Sequence, residues 1–282
     1  MTKTCQALLK ACLTGARYAS LVNRAPISRT LSRRYVLLCL VVSGSWSAVW
    51  AQTDSVAALR ELLSGGYYAL AAQVEGPRVV KAQPGDAEAR LLYARALYLV
   101  GNLEAAGVQL TRAEALPASP ELARSVTHLS ALVRAAQGDT VAAERLLART
   151  FRAAPDYQLA MDWGRVAWQG GDLGTALRAY RAAAATPEGQ LKPWPSLNLA
   201  RLQLQAGRFG DAIISLETTL TLLEEDPSPR PSPAYAEAFY RLGQAYEAQG
   251  EVQEARSNYQ AARSVDPEYA PAEAALEKLD PP

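Results

Sequence analysis

The sequence predicts an all-α protein, a right-handed α-solenoid of about six helical hairpins that ends in a C-terminal capping helix. Three observations lead to this fold class: a recurring glycine and alanine pair, an apolar content dominated by alanine and leucine, and helix-capping residues at regular intervals. Alanine favours closely packed helices because it is small and has the highest helix propensity. The 282 residues are 49% hydrophobic, which is ample for a folded core.

A glycine is followed five residues later by an alanine at six places along the chain. The pairs are Gly66/Ala71, Gly101/Ala106, Gly138/Ala143, Gly171/Ala176, Gly207/Ala212 and Gly250/Ala255. The glycines lie 35, 37, 33, 36 and 43 residues apart, a period typical of stacked two-helix units. We expect each glycine to end a first helix in a left-handed turn, and each alanine to lie where the two helices cross most closely.

Helix-start signals agree with this period. The predicted N-caps are Asp86, Ser119, Asp156, Ser232 and Asp266, with Pro120, Pro233 and Pro267 at the first helical position. One signal disagrees, because Gly76-Pro77 is expected to interrupt the second helix of the first unit.

The last unit contains a known repeat motif, in which large and small residues follow the order W-x2-L-G-x2-Y…A-x3-F…P. Its residues are Phe239, Leu242, Gly243, Tyr246, Gly250, Ala255, Tyr259, Ala262 and Pro267, with aromatic substitutions at the large positions. The fourth unit repeats much of the motif through Trp163, Gly164, Gly171, Ala176, Tyr180 and Ala183. The chain therefore resembles the tetratricopeptide repeat (TPR) family, whose members bind peptides on the concave surface of a helical solenoid.

The resemblance divides the chain into a targeting segment and a TPR solenoid, residues 1–51 and 52–282. The expected repeats are about 52–85, 87–120, 123–157, 157–190, 193–226 and 236–269, followed by a cap over 270–280. The proline-rich stretch 227–233 between the last two repeats is expected to be an extended spacer.

Residues 1–51 resemble a secretory signal peptide. Arg33 and Arg34 precede a mostly apolar run over 35–50, and compact residues lead up to a predicted cut between Ala51 and Gln52. The run of about 16 residues contains several serines, so it is short and polar for a membrane anchor. We therefore expect an extracytoplasmic protein, periplasmic, envelope-associated or secreted, with no stable membrane span after processing. The sequence around the arginine pair also resembles a twin-arginine signal, so the export route stays open.

Charge and composition exclude several classes of function. The first 51 residues contain seven of the 29 basic residues and none of the 28 acidic ones, so the remaining chain is mildly acidic. This composition argues against a nucleic-acid partner. Cys5, Cys12 and Cys39 all lie in the targeting segment, and His128 is the one histidine, so no thiol or metal site is expected in the body. No recognised catalytic or nucleotide-binding motif is present. We expect no cofactor and no enzymatic activity.

First-helix residues are numbered by their distance before the turn glycine, so position −6 lies six residues before it. We expect positions −4, −7, −8 and −11 to face the core. At 100° per residue, positions −3, −6 and −10 lie on the other side of the helix. In the TPR family that side lines the peptide-binding surface.

The predicted partner-binding groove combines arginines with apolar and aromatic side chains. It comprises Arg60, Arg95, Arg165 and Arg201 at −6, Tyr98 and Trp168 at −3, and Met161, Leu197 and Tyr240 at −10. Such arginines can fork onto carboxylates while their apolar neighbours anchor the partner. The expected partner is a protein or peptide segment that is acidic and has apolar anchors.

The four arginines have no acidic residue four positions away in their own helices, and only Asp162 offers an i−3 partner, to Arg165. Solvated helix faces usually pair charges at this spacing, whereas binding surfaces are enriched in Arg and aromatic residues. The alternative, that these arginines solvate an exposed face or join neighbouring repeats, stays open.

The sequence thus predicts a non-catalytic protein–protein interaction scaffold or adaptor outside the cytoplasm. One alternative is an accessory or regulatory subunit of an envelope enzyme or transport assembly. Another is a cell-wall carbohydrate-binding module that uses Trp168, Trp194 and Tyr98 as stacking platforms, or an enzyme whose active site matches no recognised motif.

Overall fold

A computed structural model of the protein describes residues 55–225 and 233–279. The predicted targeting segment, residues 52–54, residues 226–232 and residue 280 of the expected cap lie outside these described residues. Residues 226–232 include the predicted N-cap Ser232 and all of the predicted spacer except Pro233. The chain forms two units, Met1–Ala58 and Leu59–Pro282, and every described helix that begins after Ala58 belongs to the second. The described residues are helical and contain no strand, which confirms the predicted all-α solenoid.

Six helical hairpins follow one another along the chain. They are α1 (Ser55–Ser64) with α2 (Tyr68–Leu70) and α3 (Gly76–Ala82), α4 (Ala87–Leu99) with α5 (Leu103–Glu114), α6 (Pro120–Ala136) with α7 (Thr140–Ala153), α8 (Tyr157–Gln169) with α9 (Leu173–Ala185), α10 (Trp194–Gln205) with α11 (Phe209–Glu225), and α12 (Pro233–Gln249) with α13 (Val252–Val265). A last helix, α14 (Ala270–Leu279), packs on α13.

The turn inside each hairpin depends on the predicted glycine. All six turn glycines have positive φ, between 70° and 94°, and no other described residue type does. In the turn after α4, Gly101 N donates to Tyr98 O at 3.0 Å and Asn102 N donates to Leu97 O at 2.9 Å. These two bonds satisfy carbonyls that the helix end leaves unpaired. The side chain of Asn102 then accepts a hydrogen bond from Ala105 N, so the same turn starts α5.

The six repeated alanines are fully buried at the crossing of the two helices of each hairpin. A second pairing sets the helix separation. Where the second helix places Tyr180 or Tyr259 in the crossing, position −7 of the first helix is a glycine, Gly164 or Gly243. A Cβ at Gly164 would come within 2.7 Å of the Tyr180 ring. Hairpins with leucine in the crossing have alanine at −7 instead, as in Leu147 and Ala131.

The buried surface of the first helices is wider than the predicted stripe. Position −7 is buried in every hairpin, as expected, but positions −5 and −12 are also buried from α4 onward. The reason is that each first helix packs against its own second helix and against the second helix of the preceding hairpin. Val133, at −5, is buried beside the exposed Arg134, so α6 follows the same register as the other first helices.

Two predicted helix boundaries are wrong. Gly76-Pro77 does not break the helix of the first hairpin, because a π-helical stretch over Ala71–Glu75 joins α2 to α3. Proline has no N–H to donate within a helix, and the wider hydrogen-bond spacing of the π-helical turn lets the helix continue past Pro77. Asp266 does not cap a helix that begins at Pro267, since α14 begins at Ala270. Asp86, Ser119 and Asp156 do cap their helices through side-chain hydrogen bonds.

Alanine substitutions at Gly101 and Gly107, two glycines of one hairpin, are expected to have opposite effects on stability. Gly101→Ala places a Cβ at φ 81°, and should lower the free energy of unfolding by about 1 kcal/mol. Gly107 lies inside α5, where an added Cβ meets no atom within 4 Å, so Gly107→Ala should raise it by about 0.5–1 kcal/mol. Urea unfolding followed by circular dichroism measures both. Equal shifts of the two midpoints in one direction would contradict this account of the turns.

Candidate functional site: the inner groove

The first helices of successive hairpins lie against one another, in the pairs α4 and α6, α6 and α8, and α10 and α12. Within the described residues, no pair of successive second helices makes comparable contact. The first helices α4, α6 and α8, and again α10 and α12, therefore lie side by side on the same side of the stack. We call the surface made by their residues at positions −3 and −6 the inner groove, and in all six hairpins these residues keep some exposure to solvent.

Eight of the nine predicted groove residues reach this accessible side to different degrees. Arg60 and Arg95 are exposed, and six are half-buried: Tyr98, Met161, Arg165, Trp168, Arg201 and Tyr240. Leu197 is a correction, because it is only 1% exposed and packs in the core with Ala234, Tyr235 and Ala238. Position −10 faces the adjoining first helix in this part of the stack, so Leu197 is closed to a partner.

The expectation that the groove arginines lack acidic partners is wrong for Arg60 and Arg201. Arg60 forms an ion pair with Glu88 at 2.6 Å, and Arg201 binds both carboxylate oxygens of Glu237 at 2.5 and 2.8 Å. Both acids lie on the next first helix, at position −13. The spacing of charges within a single helix does not reveal these acidic partners, because the ion pairs join position −6 of one hairpin to position −13 of the next.

Arg95 and Arg165 face hairpins that have no acid at this register. Position −13 is Ser125 in the third hairpin and Trp194 in the fifth. Arg165 instead donates to Asp162 of its own helix at 2.8 Å, the i−3 partner that the sequence offered. Arg95 has no ion pair or side-chain hydrogen bond with any described residue, and its side chain is exposed. It is thus a groove cation that none of the described residues neutralises.

Asp162 joins two hairpins at the centre of the groove. His128 Nε2 on α6 lies 2.9 Å from Asp162 Oδ2, Gln158 donates to the same oxygen at 3.2 Å, and Arg165 binds Oδ1. Burial alone would raise the pKa of Asp162, but these hydrogen bonds outweigh it and hold the pKa below 3.8. His128 therefore has a structural partner, and the link from Asp162 to His128 is a contact between hairpins that the sequence analysis did not identify.

The C-terminal end of the groove is closed by aromatic and ionic contacts. Tyr240 packs against Tyr259 and Tyr269, with ring centroids 5.6 and 5.7 Å away. Glu247, at −3, accepts a hydrogen bond from the Tyr259 hydroxyl at 2.6 Å. It also forms an ion pair with Lys278 of α14 at 2.7 Å. The predicted groove residue Tyr240 is thus largely occupied by intramolecular contacts.

A shaped turn places an exposed tryptophan between the fourth and fifth hairpins. A 3-10 turn over Gly189–Leu191 lies just before α10, and a Cβ at Gly189 would come 1.8 Å from the Ala183 carbonyl oxygen, so the turn requires glycine. Helix α10 then begins at Trp194, whose side chain is 45% exposed. An exposed tryptophan at a first-helix N-terminus is a candidate apolar anchor for a partner.

A separate cleft lies on the side formed by the second helices. Its volume is about 540 Å³, and its lining includes Arg145 and Arg152 of α7, Trp163 of α8, and Arg178 of α9. It is formed by packing gaps between α7 and α9 and shares none of the predicted groove residues. The groove and the cleft are therefore distinct surfaces.

The described residues contain neither a metal-binding cluster nor a helix that could span a membrane. No cluster of three or more His, Cys, Asp or Glu side chains there could hold a metal ion. None of the helices described is both long enough and apolar enough to cross a membrane.

Asp162→Asn is expected to reduce stability in a pH-dependent way. Because the folded-state pKa of Asp162 lies below 3.8, its charged form stabilises the fold above that pH, and this contribution is lost as the pH falls through the folded-state pKa. The variant should lose about 1–3 kcal/mol of unfolding free energy at pH 7, with the difference from wild type shrinking below about pH 4. Urea titrations at pH 7, 5, 4 and 3 test this, and a constant difference across the series would contradict it.

Comparisons with known proteins agree with the geometry. The chain resembles solved structures including YrrB, "a TPR protein with an unusual peptide-binding site", at 19% identity and TM-score 0.56, covering 73% of this chain and 99% of that one. Pseudomonas aeruginosa PilF (13% identity) and the type IV pilus biogenesis factor PilW (20%) both align with TM-score 0.60, over 79% of this chain and 96% of theirs.

At these identities the structural likeness shows the fold alone. No curated protein matches the chain in sequence at a significant level. A tetratricopeptide repeat profile, however, matches residues 124–190 and 197–272, slightly more than half of the 282 residues. With the six glycine turns and the hairpin stack, this match shows that the chain belongs to the tetratricopeptide repeat family.

Proposed function

We propose that the protein is a non-catalytic scaffold or adaptor that binds an acidic segment of another protein in its inner groove. TPR proteins generally mediate protein–protein interaction, and this chain has the stacked hairpins that present such a groove. The observation that supports an acidic partner most directly is Arg95. It is an exposed groove arginine with no ion-pair or hydrogen-bond partner among the described residues.

The pattern of ion pairs also supports this proposal. Where the next hairpin supplies Glu88 or Glu237, the groove arginine is already neutralised. The part of the groove between these pairs has no such acid at position −13, so Arg95 and Arg165 keep guanidinium donors for a carboxylate from outside. Half-buried Tyr98 and Trp168 lie three residues after these arginines on the same face, where they can contact apolar side chains of the partner.

Reversal of one groove charge should abolish most of the binding, while the same reversal elsewhere should not. The purified protein is used to select binders from a random dodecapeptide library displayed on phage, and we expect enrichment of peptides that combine Asp or Glu with apolar residues. Arg95→Glu should weaken binding of a selected peptide by about tenfold or more, because a repelling charge replaces a carboxylate partner. Fluorescence anisotropy with the labelled peptide measures the affinity.

The matched control is Arg149→Glu. Arg149 is also exposed and lies on the second helix α7, away from the groove, and its reversal changes the net charge by the same amount. Equal losses for the two variants would indicate a general charge effect, and unchanged binding for Arg95→Glu would remove the groove from the account.

We propose in addition that this scaffold acts outside the cytoplasm. The support is the sequence of residues 1–51, with its arginine pair, its short apolar run and the compact residues before Gln52. Amino-terminal sequencing of the protein recovered from the envelope or culture fraction should begin at Gln52. A cytoplasmic protein that retains residues 1–51 would contradict export.

A further inference from the structure

The fourth and sixth hairpins each contain a buried tyrosine at the same position, and the two tyrosines differ in the hydrogen bonding of their hydroxyls. Tyr180 and Tyr259 each follow their turn glycine by nine residues, and each packs its ring on a glycine at position −7. Both rings are almost fully buried, 2% and 1% exposed. Because the two hairpins share this geometry, each hydroxyl reaches toward position −3 of its own first helix.

The two hairpins differ in whether the residue at position −3 can accept a hydrogen bond from the tyrosine hydroxyl. Tyr259 Oη donates to Glu247, the residue at −3, at 2.6 Å. In the fourth hairpin position −3 is Trp168, which has no acceptor, and the Tyr180 hydroxyl makes no hydrogen bond with any described residue. The Tyr180 oxygen is not one of the buried polar atoms that lack a partner in the described residues, so it reaches solvent although its ring is buried. The hydroxyl can therefore donate to an acceptor from outside the described chain.

Charged groups of both signs lie near the Tyr180 hydroxyl. Burial raises the pKa of Tyr180 to about 12, the positive charges of Arg165 and Arg201 oppose this rise, and the negative charge of Asp162 adds to it. Arg201 uses each of its three guanidinium nitrogens within the protein, because its Nε and both Nη atoms bind Glu237 and Asn198. Arg165 uses one nitrogen for Asp162, and its side chain is 43% exposed, so its other N–H groups remain available.

At the two equivalent register positions of the fourth and fifth hairpins, tryptophan stands where the last hairpin has an acid. Glu247 and Glu237 satisfy a tyrosine and an arginine in the last two hairpins, from positions −3 and −13. The equivalent residues for Tyr180 and Arg165 are Trp168 and Trp194. Met161 and Trp168 pack against the same buried cluster as Tyr180, so the donors lie among apolar side chains.

We propose that Tyr180 and Arg165 together bind one side-chain carboxylate of an extended polypeptide segment, with Trp168 and Trp194 contacting the apolar residues beside that carboxylate. The partner thus supplies the acid that the chain provides for itself in the last hairpin. The occupant is inferred from complementarity. The Tyr180 hydroxyl has no hydrogen-bond partner among the described residues, Arg165 has N–H groups beyond the one that binds Asp162, and the neighbouring Trp168 is aromatic. This inference rests on the proposed function, and it assigns the acidic residue of the partner to the junction of the fourth and fifth hairpins.

The probes are the acidic dodecapeptide recovered most often from the phage selection, the same peptide with its key Glu changed to Gln, and both peptides with the C-terminus as free acid or amide. Tyr180→Phe removes only the donor, and should weaken binding of the Glu peptide by about tenfold. The Gln peptide should bind wild type and Tyr180→Phe with similar, weaker affinity, because the lost interaction involves that carboxylate. Amidation of the C-terminus should leave the affinity unchanged, whereas a large loss would overturn the assignment to a side chain.

Tyr259→Phe is the matched control. It breaks the hydrogen bond to Glu247, so it should lower the unfolding midpoint and leave peptide affinity unchanged. Tyr180→Phe should leave the unfolding midpoint unchanged and lower the peptide affinity, since the Tyr180 hydroxyl has no partner among the described residues. Equal affinities of wild type and Tyr180→Phe would overturn the inference. If Arg95→Glu still weakens binding in that case, the groove proposal stands, and if it does not, both fail.

Discussion

The structure depends on the close crossing of two helices within each hairpin. A fully buried alanine in every second helix and a small residue at −7 of every hairpin from the second to the sixth allow the helices to approach, and the glycine turn fixes the angle at which the chain returns. Where the crossing contains tyrosine, the facing residue is glycine. This constraint repeats every hairpin, so it also aligns the first helices and fixes which of their side chains remain accessible.

The inner groove follows from that alignment. Because the first helices lie side by side, a residue at −6 comes opposite position −13 of the next hairpin. An arginine at −6 is neutralised by the next hairpin only where an acid occupies position −13. Glu88 and Glu237 neutralise Arg60 and Arg201, and these ion pairs also connect adjacent hairpins. In the middle of the stack, Ser125 and Trp194 occupy the register, so no acid of the next hairpin neutralises Arg95 or Arg165, and Arg165 pairs instead with Asp162 of its own helix.

Much of the fold could be predicted from the sequence because its determinants are local. Six glycines with positive φ and six alanines at fixed spacing depend on residues within one hairpin. The groove was harder to predict, because its charge balance depends on pairs such as Arg201 and Glu237 that are 36 residues apart. Leu197 was misassigned for a related reason, since neighbouring first helices cover position −10 in part of the stack. Tyr180 could have been found from the sequence by its pairing with Gly164 and the missing acid at Trp168.

The central claim is that the protein leaves donors in the middle of its groove for a carboxylate from outside. A crystal structure of the protein with a bound acidic peptide tests it most directly. The account predicts a peptide carboxylate within hydrogen-bond distance of both Tyr180 Oη and the Arg165 guanidinium, with its neighbouring residues against Trp168 and Trp194. A peptide that lies instead in the cleft between α7 and α9, or that leaves the Tyr180 hydroxyl without an acceptor, would contradict it.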